Sequence, residues 1–422
     1  VLGYDATARQ LSGANRDLHV GFRKAECMTE QELPLSGVRV LDLSEGIAGP
    51  GCTKILAHLG ADVIKVERPR TGDVARSLPP FYHDRPHLEG SGLFLYLNLG
   101  KRGITLDMEV EQGRTLFRKL VTGSQIVVES FPAGTMEAWG LGYSALEALN
   151  PSLVMASITP FGQAGPYRDL ADSDIVLQAL GGLLYITGDQ DREPLRQGGN
   201  PAYFHAAMQS FSGIMGALFY AESTGVGEYL DIAIVECLAV NAMFSSLSYD
   251  LAGRILSRSG DRQPVFQAAD GYVGFVLRAE NWHALCQVLE RPDLEHDPRF
   301  ADEPSRQANR PEMLREIAAA VRRKEKTALY RTAQEMRIPT GYVCTAADLL
   351  ASPQYQDRGF LRQIDHPLTG TLTYPGVPWR MDDLPLVVQR APRLGEHNRE
   401  VYQALSGLGE RELADLHAQG VI

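Results

Sequence analysis

VRVLDLSEGIAGPGCTKILAHLGADVIKVE, residues 38–67, sets the fold class. VRVLDL (38–43) is a short branched apolar run, the form of a strand buried on both faces. GIAGPG (46–51) reads as a turn, CTKILAHLGA as a helix with apolar residues at three- to four-residue spacing, and DVIKVE (62–67) as the next strand. Strand, helix and strand at this spacing make a βαβ unit, whose two strands run parallel.

The alternation continues outward. GITLDM, the helix EQGRTLFRKLV, the strand QIVVES, a helix near SALEAL and the strand LVMASIT follow in order. This pattern predicts an α/β fold with a Rossmann-like, mostly parallel sheet. After about Gly225 the style changes: GEYLDIAIVECLAVNAMFSSLSYDLAG reads as a strand followed by one long apolar helix. SRSGDRQPVFQAADGYVGFVL reads as a loop, a turn at Asp270-Gly271 and a strand, and NWHALCQVL, EMLREIAAAVRRK and ALYRTAQEM as amphipathic helices. The expected organisation is a polar extension over 1–34, a large domain over 35–230 and a linker helix over 231–261. A smaller α/β domain over 262–345 and a C-terminal segment over 346–422 that returns to the large domain complete it. The extension is assigned no function, and no internal repeat is visible.

Composition narrows the function classes. A net charge of −11, without a Lys/Arg stripe, argues against a nucleic-acid partner. No apolar run approaches the length of a membrane span, and the first residues lack a signal-peptide core. The five cysteines are scattered, with no CxxC, which argues against a zinc site or a disulfide framework and fits a reducing cytoplasm.

The glycine loop 46–51 allows two readings: a phosphate cradle at a helix N-terminus, or a tight strand-to-helix turn. Pro50 breaks the spacing of the dinucleotide fingerprint. Glu67 stands near the end of the second strand, where a nicotinamide enzyme wants an acid, but Arg68-Pro69 follow it.

Five stretches together resemble the class III CoA-transferase family, the group of formyl-CoA and carnitine CoA-transferases. They are 35–69, LYLNLGKRGITLDM (95–108), 127–167 from VVESF to QAGPY, STGVGEYLDIAI (223–234) and RAPRLGEHNREVY (390–402). The resemblance runs from about residue 35 to the end. It implies a two-domain α/β subunit, interlocked with a second subunit, with coenzyme A across the large domain as substrate and no tightly bound cofactor or metal. It also implies a nucleophilic aspartate that forms a mixed anhydride and then an aspartyl thioester. Such a group must be ionised at neutral pH and able to leave again, as a carboxylate is.

Carried over by position, the resemblance assigns CoA contacts to Ile47, Ala48, Arg68, Leu106, Ser130 and Phe131. Two expected cations are absent, since Ala138 and Ala171 stand in their places. Each lost phosphate cation removes a charge-assisted hydrogen bond of about 1.5–3 kcal/mol. The nucleophile position falls on Tyr203, within GGNPAYFHAAMQSFSG (198–213), and no Asp or Glu occurs between Glu193 and Glu222. A phenol is protonated at neutral pH and would form an ester rather than an anhydride. The resemblance therefore assigns this chain no catalytic nucleophile.

Asp174 matches an acid near the active site of relatives and reads either as a substitute nucleophile or as the N-cap of a helix starting at Ile175. His205 reads as a base or a packed histidine. Asp172, Asp189 and Asp191 read as solvated, and Cys52 as a small buried residue or a helix-stabilised thiolate. Ser173 stands where the family's racemase branch has histidine, which argues against racemisation. The expected function is a cytoplasmic CoA-transferase subunit, the non-catalytic half of a heteromer whose related partner carries the aspartate. The heteromeric succinyl-CoA:(R)-benzylsuccinate CoA-transferases of anaerobic toluene breakdown are similar in arrangement. A self-sufficient homodimeric transferase or acyl-CoA isomerase using Asp174, and a CoA-ester binding protein without catalysis, remain as alternatives.

Overall fold

The computed structural model describes residues 33–189, 191–256, 258, 264–381 and 388–422. The N-terminal extension up to residue 32 lies outside them. Six strands form one parallel sheet in the order β3-β2-β1-β4-β5-β6. They are β1 (Arg39–Asp42), β2 (Asp62–Glu67), β3 (Arg102–Thr105), β4 (Ile126–Glu129), β5 (Val154–Thr159) and β6 (Glu228–Ala233). The strand order reverses between β1 and β4, and ligands of open parallel sheets bind beyond the carboxyl ends at such a point.

Period-two alternation divides the strand residues between two cores. Val40, Val63, Ile126, Val154 and Ala156 face the Ala48–His58 and Pro201–Thr224 helices. Leu41, Ile64, Val127 and Met155 face Phe117 and Leu120 of the Glu111–Val121 helix, together with Tyr402 from the C-terminal segment. Close packing accounts for the first glycine loop. A Cβ on Gly51 would stand 3.1 Å from the Ala207 Cβ, and one on Gly49 would overlap Ser44. The helix starts at Ala48, not after the loop, so GIAGPG is mostly first helical turn rather than a free turn. Pro50 fits there because the first helical N–H groups have no intrahelical acceptor.

The apolar stretch after β6 is not one helix. It divides into Ile234–Ala239, a tight turn over Val240–Ala242 and Met243–Ala252, and the last of these buries none of its residues. A separate core, built from Phe266, Phe275, Trp282, Ile317 and Leu329 among others, surrounds an antiparallel sheet of β7 (Val265–Ala268), β8 (Gly271–Phe275) and β9 (Thr340–Tyr342). The turn between β7 and β8 is Ala269-Asp270, one residue earlier than the expected Asp270-Gly271, because Gly271 already pairs with Ala268 as the first residue of β8.

The C-terminal segment closes the edge of β3. His397 Nδ1 accepts from the Gly103 N–H at 3.0 Å, Asn398 Oδ1 accepts from the Thr105 N–H at 2.8 Å, and the Tyr402 hydroxyl donates to the Thr105 carbonyl at 2.7 Å. These side chains satisfy edge groups that another strand would otherwise pair.

Candidate functional site

Two adjoining hollows lie beyond the carboxyl ends of β1, β2 and β4. The first, about 360 Å³, is walled by Leu43, Val66, Leu106, Phe131 and Trp139, with Arg68 at its rim. The second, about 340 Å³, is lined by Ile47, Ala48, Ser130, Asp172 and Tyr203. Glu45 borders both, and its N–H donates to Ser130 Oγ at 2.8 Å. The fold thus brings the six residues expected to contact CoA, and Tyr203, along one path. Sequence reasoning missed Trp139 and Glu45. Trp139 follows Ala138 at the end of the Thr135–Ala138 helix and packs edge-on against Phe131, with ring centroids 5.0 Å apart.

Buried charge fixes the turn between the hollows. The Gly46 N–H donates to Asp73 Oδ1 at 2.9 Å, and Asp73 pairs with Lys65 at 2.8 Å. Lys101 pairs with Asp42 at 2.9 Å and also donates to Asn98 Oδ1 and the Pro50 carbonyl. Burial alone would raise Asp42, but Lys101 and Lys65 hold it down at about 2. Burial lowers Lys101 to about 8 against the pull of Asp42. Beside the first hollow, burial pushes the Glu129 carboxyl up to about 7, although it accepts the Phe131 N–H at 2.7 Å.

At the far end of the second hollow the Tyr203 hydroxyl donates to Asp172 Oδ2 at 2.9 Å. Burial, then this bond, pushes the phenol well above its ordinary value, so Tyr203 stays protonated. Asp174 is buried and does not border either hollow. It is not an N-cap: the helix is Asp174–Leu180, Ser173 precedes it, and the Asp174 carboxylate accepts from Gln178 Nε2 at 2.6 Å, Arg196 Nε at 3.0 Å and the Ala202 N–H at 3.3 Å. It therefore ties three segments together. His205 Nδ1 lies 2.8 Å from the Pro201 carbonyl, within its own helix. Asp172, Asp189 and Asp191 are exposed, and Cys52 is buried with its thiol pushed up by burial.

A cleft at the switch point of a parallel sheet, apolar and aromatic inside and with an arginine at one rim, suits an elongated nucleotide thioester. The model of CoA-transferase family III matches residues 35–398. The chain belongs to CoA-transferase family III. Members of this family use CoA thioesters as substrates and hold no tightly bound cofactor. Among curated relatives, a succinyl-CoA:mesaconate CoA-transferase of Haloarcula hispanica is 37% identical over 380 residues, covering 87% of this chain and 95% of the relative. The succinyl-CoA:(R)-benzylsuccinate CoA-transferase subunit BbsE of Thauera aromatica is 34% identical, covering 87% of this chain and 93% of the relative. The solved CAIB/BAIF family protein of Brucella suis superimposes with a TM-score of 0.81 at 32% identity, covering 89% of this chain and all of that one. Among the described residues no cluster of His, Cys, Asp and Glu could hold a metal ion, and no helix is long and apolar enough to cross a membrane.

Proposed function

We propose that this CoA-transferase chain is the non-catalytic half of a cytoplasmic heteromer that moves CoA from an acyl-CoA, with succinyl-CoA as donor, to a carboxylic acid such as (R)-benzylsuccinate. The observation that carries the reading is the Tyr203 hydroxyl at the end of the cleft. A protonated phenol cannot pass through an anhydride and a thioester. The substitute named from the sequence, Asp174, has its oxygens engaged by Gln178, Arg196 and the Ala202 N–H, away from the cleft wall.

CoA lies along the path, with its nucleotide between Leu106, Phe131 and Arg68 and its pantetheine arm past Ser130, Ile47 and Ala48. The domain division is 35–230, 231–261, 262–345 and 346–422, and a related subunit interlocks with this one. Two facts support a partner. The Met243–Ala252 helix is unburied, with Phe244 72% and Leu251 81% exposed, and apolar exposure on this scale marks an interaction face. The BbsE relative is itself named a subunit.

The native mass of the complex from its own source, with both chains identified after denaturation, tests this. Two different subunits, the other carrying the aspartate, are expected; a homodimer active by itself would overturn the reading.

A second reading keeps the chemistry in this chain. Asp172 faces the cleft and accepts the Tyr203 hydroxyl, so it is a carboxylate within reach of a bound thioester. Its exposure speaks against it, because an acyl anhydride open to water hydrolyses. Loss of homodimer activity in Asp172→Asn would favour this second reading.

A further inference from the structure

The turn after β2 runs Glu67-Arg68-Pro69-Arg70-Thr71-Gly72, closed by the Gly72 N–H donating to the Arg68 carbonyl at 3.0 Å. Arg70 holds φ at 69°, a left-handed conformation that costs a side-chain-bearing residue about 1 kcal/mol or more and that glycine adopts freely. An arginine under that constraint invites the question of what its side chain does.

Its guanidinium makes no hydrogen bond or ion pair among the described residues. It borders the first hollow beside Arg68, and it lies against the C-terminal turn, where a Cβ on Gly420 would stand 3.2 Å from Arg70 Nη2. Gly420, with φ at 74°, thus supplies a bare backbone surface that lets the guanidinium reach over the hollow.

Charge makes this position matter. The same hollow is bordered by Glu45, Glu67, Asp107 and Glu109. Glu67 is neutralised by buried Arg76 at 2.6 Å, and Arg68 is matched by Glu45 at 3.2 Å. Arg68 alone therefore leaves no surplus positive charge for a phosphate. Arg70 is the unmatched guanidinium at this rim, and its planar fork suits a phosphate bidentately.

We infer that Arg70 is a phosphate-binding residue of this chain's own CoA cleft, and that it replaces the cations missing at Ala138 and Ala171, so that the chain holds CoA whether or not it carries a nucleophile. This rests on the reading of the first hollow as the nucleotide site, but not on the heteromer.

The test is calorimetric titration of CoA and of dephospho-CoA into the full chain, its Arg70→Gly variant and its Arg68→Ala variant. Glycine suits the backbone at this turn, so Arg70→Gly should melt no lower than the parent. Loss of one charge-assisted contact should weaken CoA binding by roughly ten-fold or more. If the loss is confined to CoA, the partner is the 3′-phosphate; if both ligands weaken alike, it is the diphosphate. Either supports the assignment. Undiminished CoA binding by Arg70→Gly, with Arg68→Ala weakened, would overturn the role of Arg70 alone. Absence of CoA binding by the parent chain would overturn the nucleotide site and Arg70 together.

Discussion

The Tyr203 hydroxyl donates to the Asp172 carboxylate at 2.9 Å, at the end of the cleft where the proposed reading puts the family's nucleophile position. The pair ties the start of the Pro201–Thr224 helix to the segment before Asp174. Its geometry governs what a restored nucleophile would meet.

Tyr203→Asp alone would set two carboxylates side by side, and like charges at that range raise one of them out of its ionised form. The double variant Asp172→Asn/Tyr203→Asp removes the repulsion. We expect it to exchange CoA between succinyl-CoA and free succinate faster than Tyr203→Asp, with the gap widening as pH falls toward about 5, where an acid raised by repulsion is less ionised, and closing near neutral pH. Isotope exchange into the thioester measures it, and equal rates at the lower pH would refute the argument.

Asp174→Ala removes the acceptor shared by Gln178, Arg196 and the Ala202 N–H. Leaving such donors unsatisfied costs about 1–3 kcal/mol. Urea unfolding should show that loss. In the proposed heteromer, turnover per folded complex should stay near the parent value, which a nucleophilic role for Asp174 would not permit.

Glu45→Gln frees Arg68 from its 3.2 Å ion pair and takes an acid from the path of the phosphates. Because Arg68 is largely solvent-exposed, the pair is worth about 0–1 kcal/mol and CoA affinity should rise only a few-fold. The gain should shrink in high salt, where exposed charges are screened. Titration at two ionic strengths checks both.

Glu129 titrates at about 7 in the fold against an ordinary value of 4.5, because burial disfavours its charge. A raised acid stabilises the fold fully below its unfolded value, and that contribution is lost as pH climbs through 7. Glu129→Gln keeps an acceptor for the Phe131 N–H and cannot ionise. It should therefore match the parent near pH 4 and exceed it at pH 8 by about 2–3 kcal/mol. Denaturant unfolding at both pH values measures this.

Lys101→Met leaves Asp42 buried with only Lys65, 4.0 Å away, as its ionic partner. Removing one member of a buried pair costs about 3–5 kcal/mol. A substantial fall in the urea midpoint is expected, and a neutral result would mean that Lys65 compensates.

Much was legible in the chain itself. VRVLDL and DVIKVE announced a parallel sheet because strands buried on both faces leave near-continuous apolar runs. The tyrosine at position 203, where the resemblance expects an aspartate, was legible too, because residue identity is read directly from the chain. The start of the Ala48–His58 helix was not legible, since Gly49 and Gly51 look like turn residues until Ser44 and Ala207 are seen against them. The break after Ala239 was hidden for a similar reason, as an apolar run carries no mark of where it bends.

The sequence by itself determined the parallel α/β architecture, the family and the want of a carboxylate at position 203, because periodicity and residue identity are local properties. Only the tertiary structure decided that Asp174 is a clasp, that Arg68 is already matched by Glu45, and that Arg70 is not matched. Those are questions of which charge lies within a few ångströms of which, and residues far apart in the chain, such as Arg70 and Gly420 or Gly103 and His397, meet only when the sheet has closed.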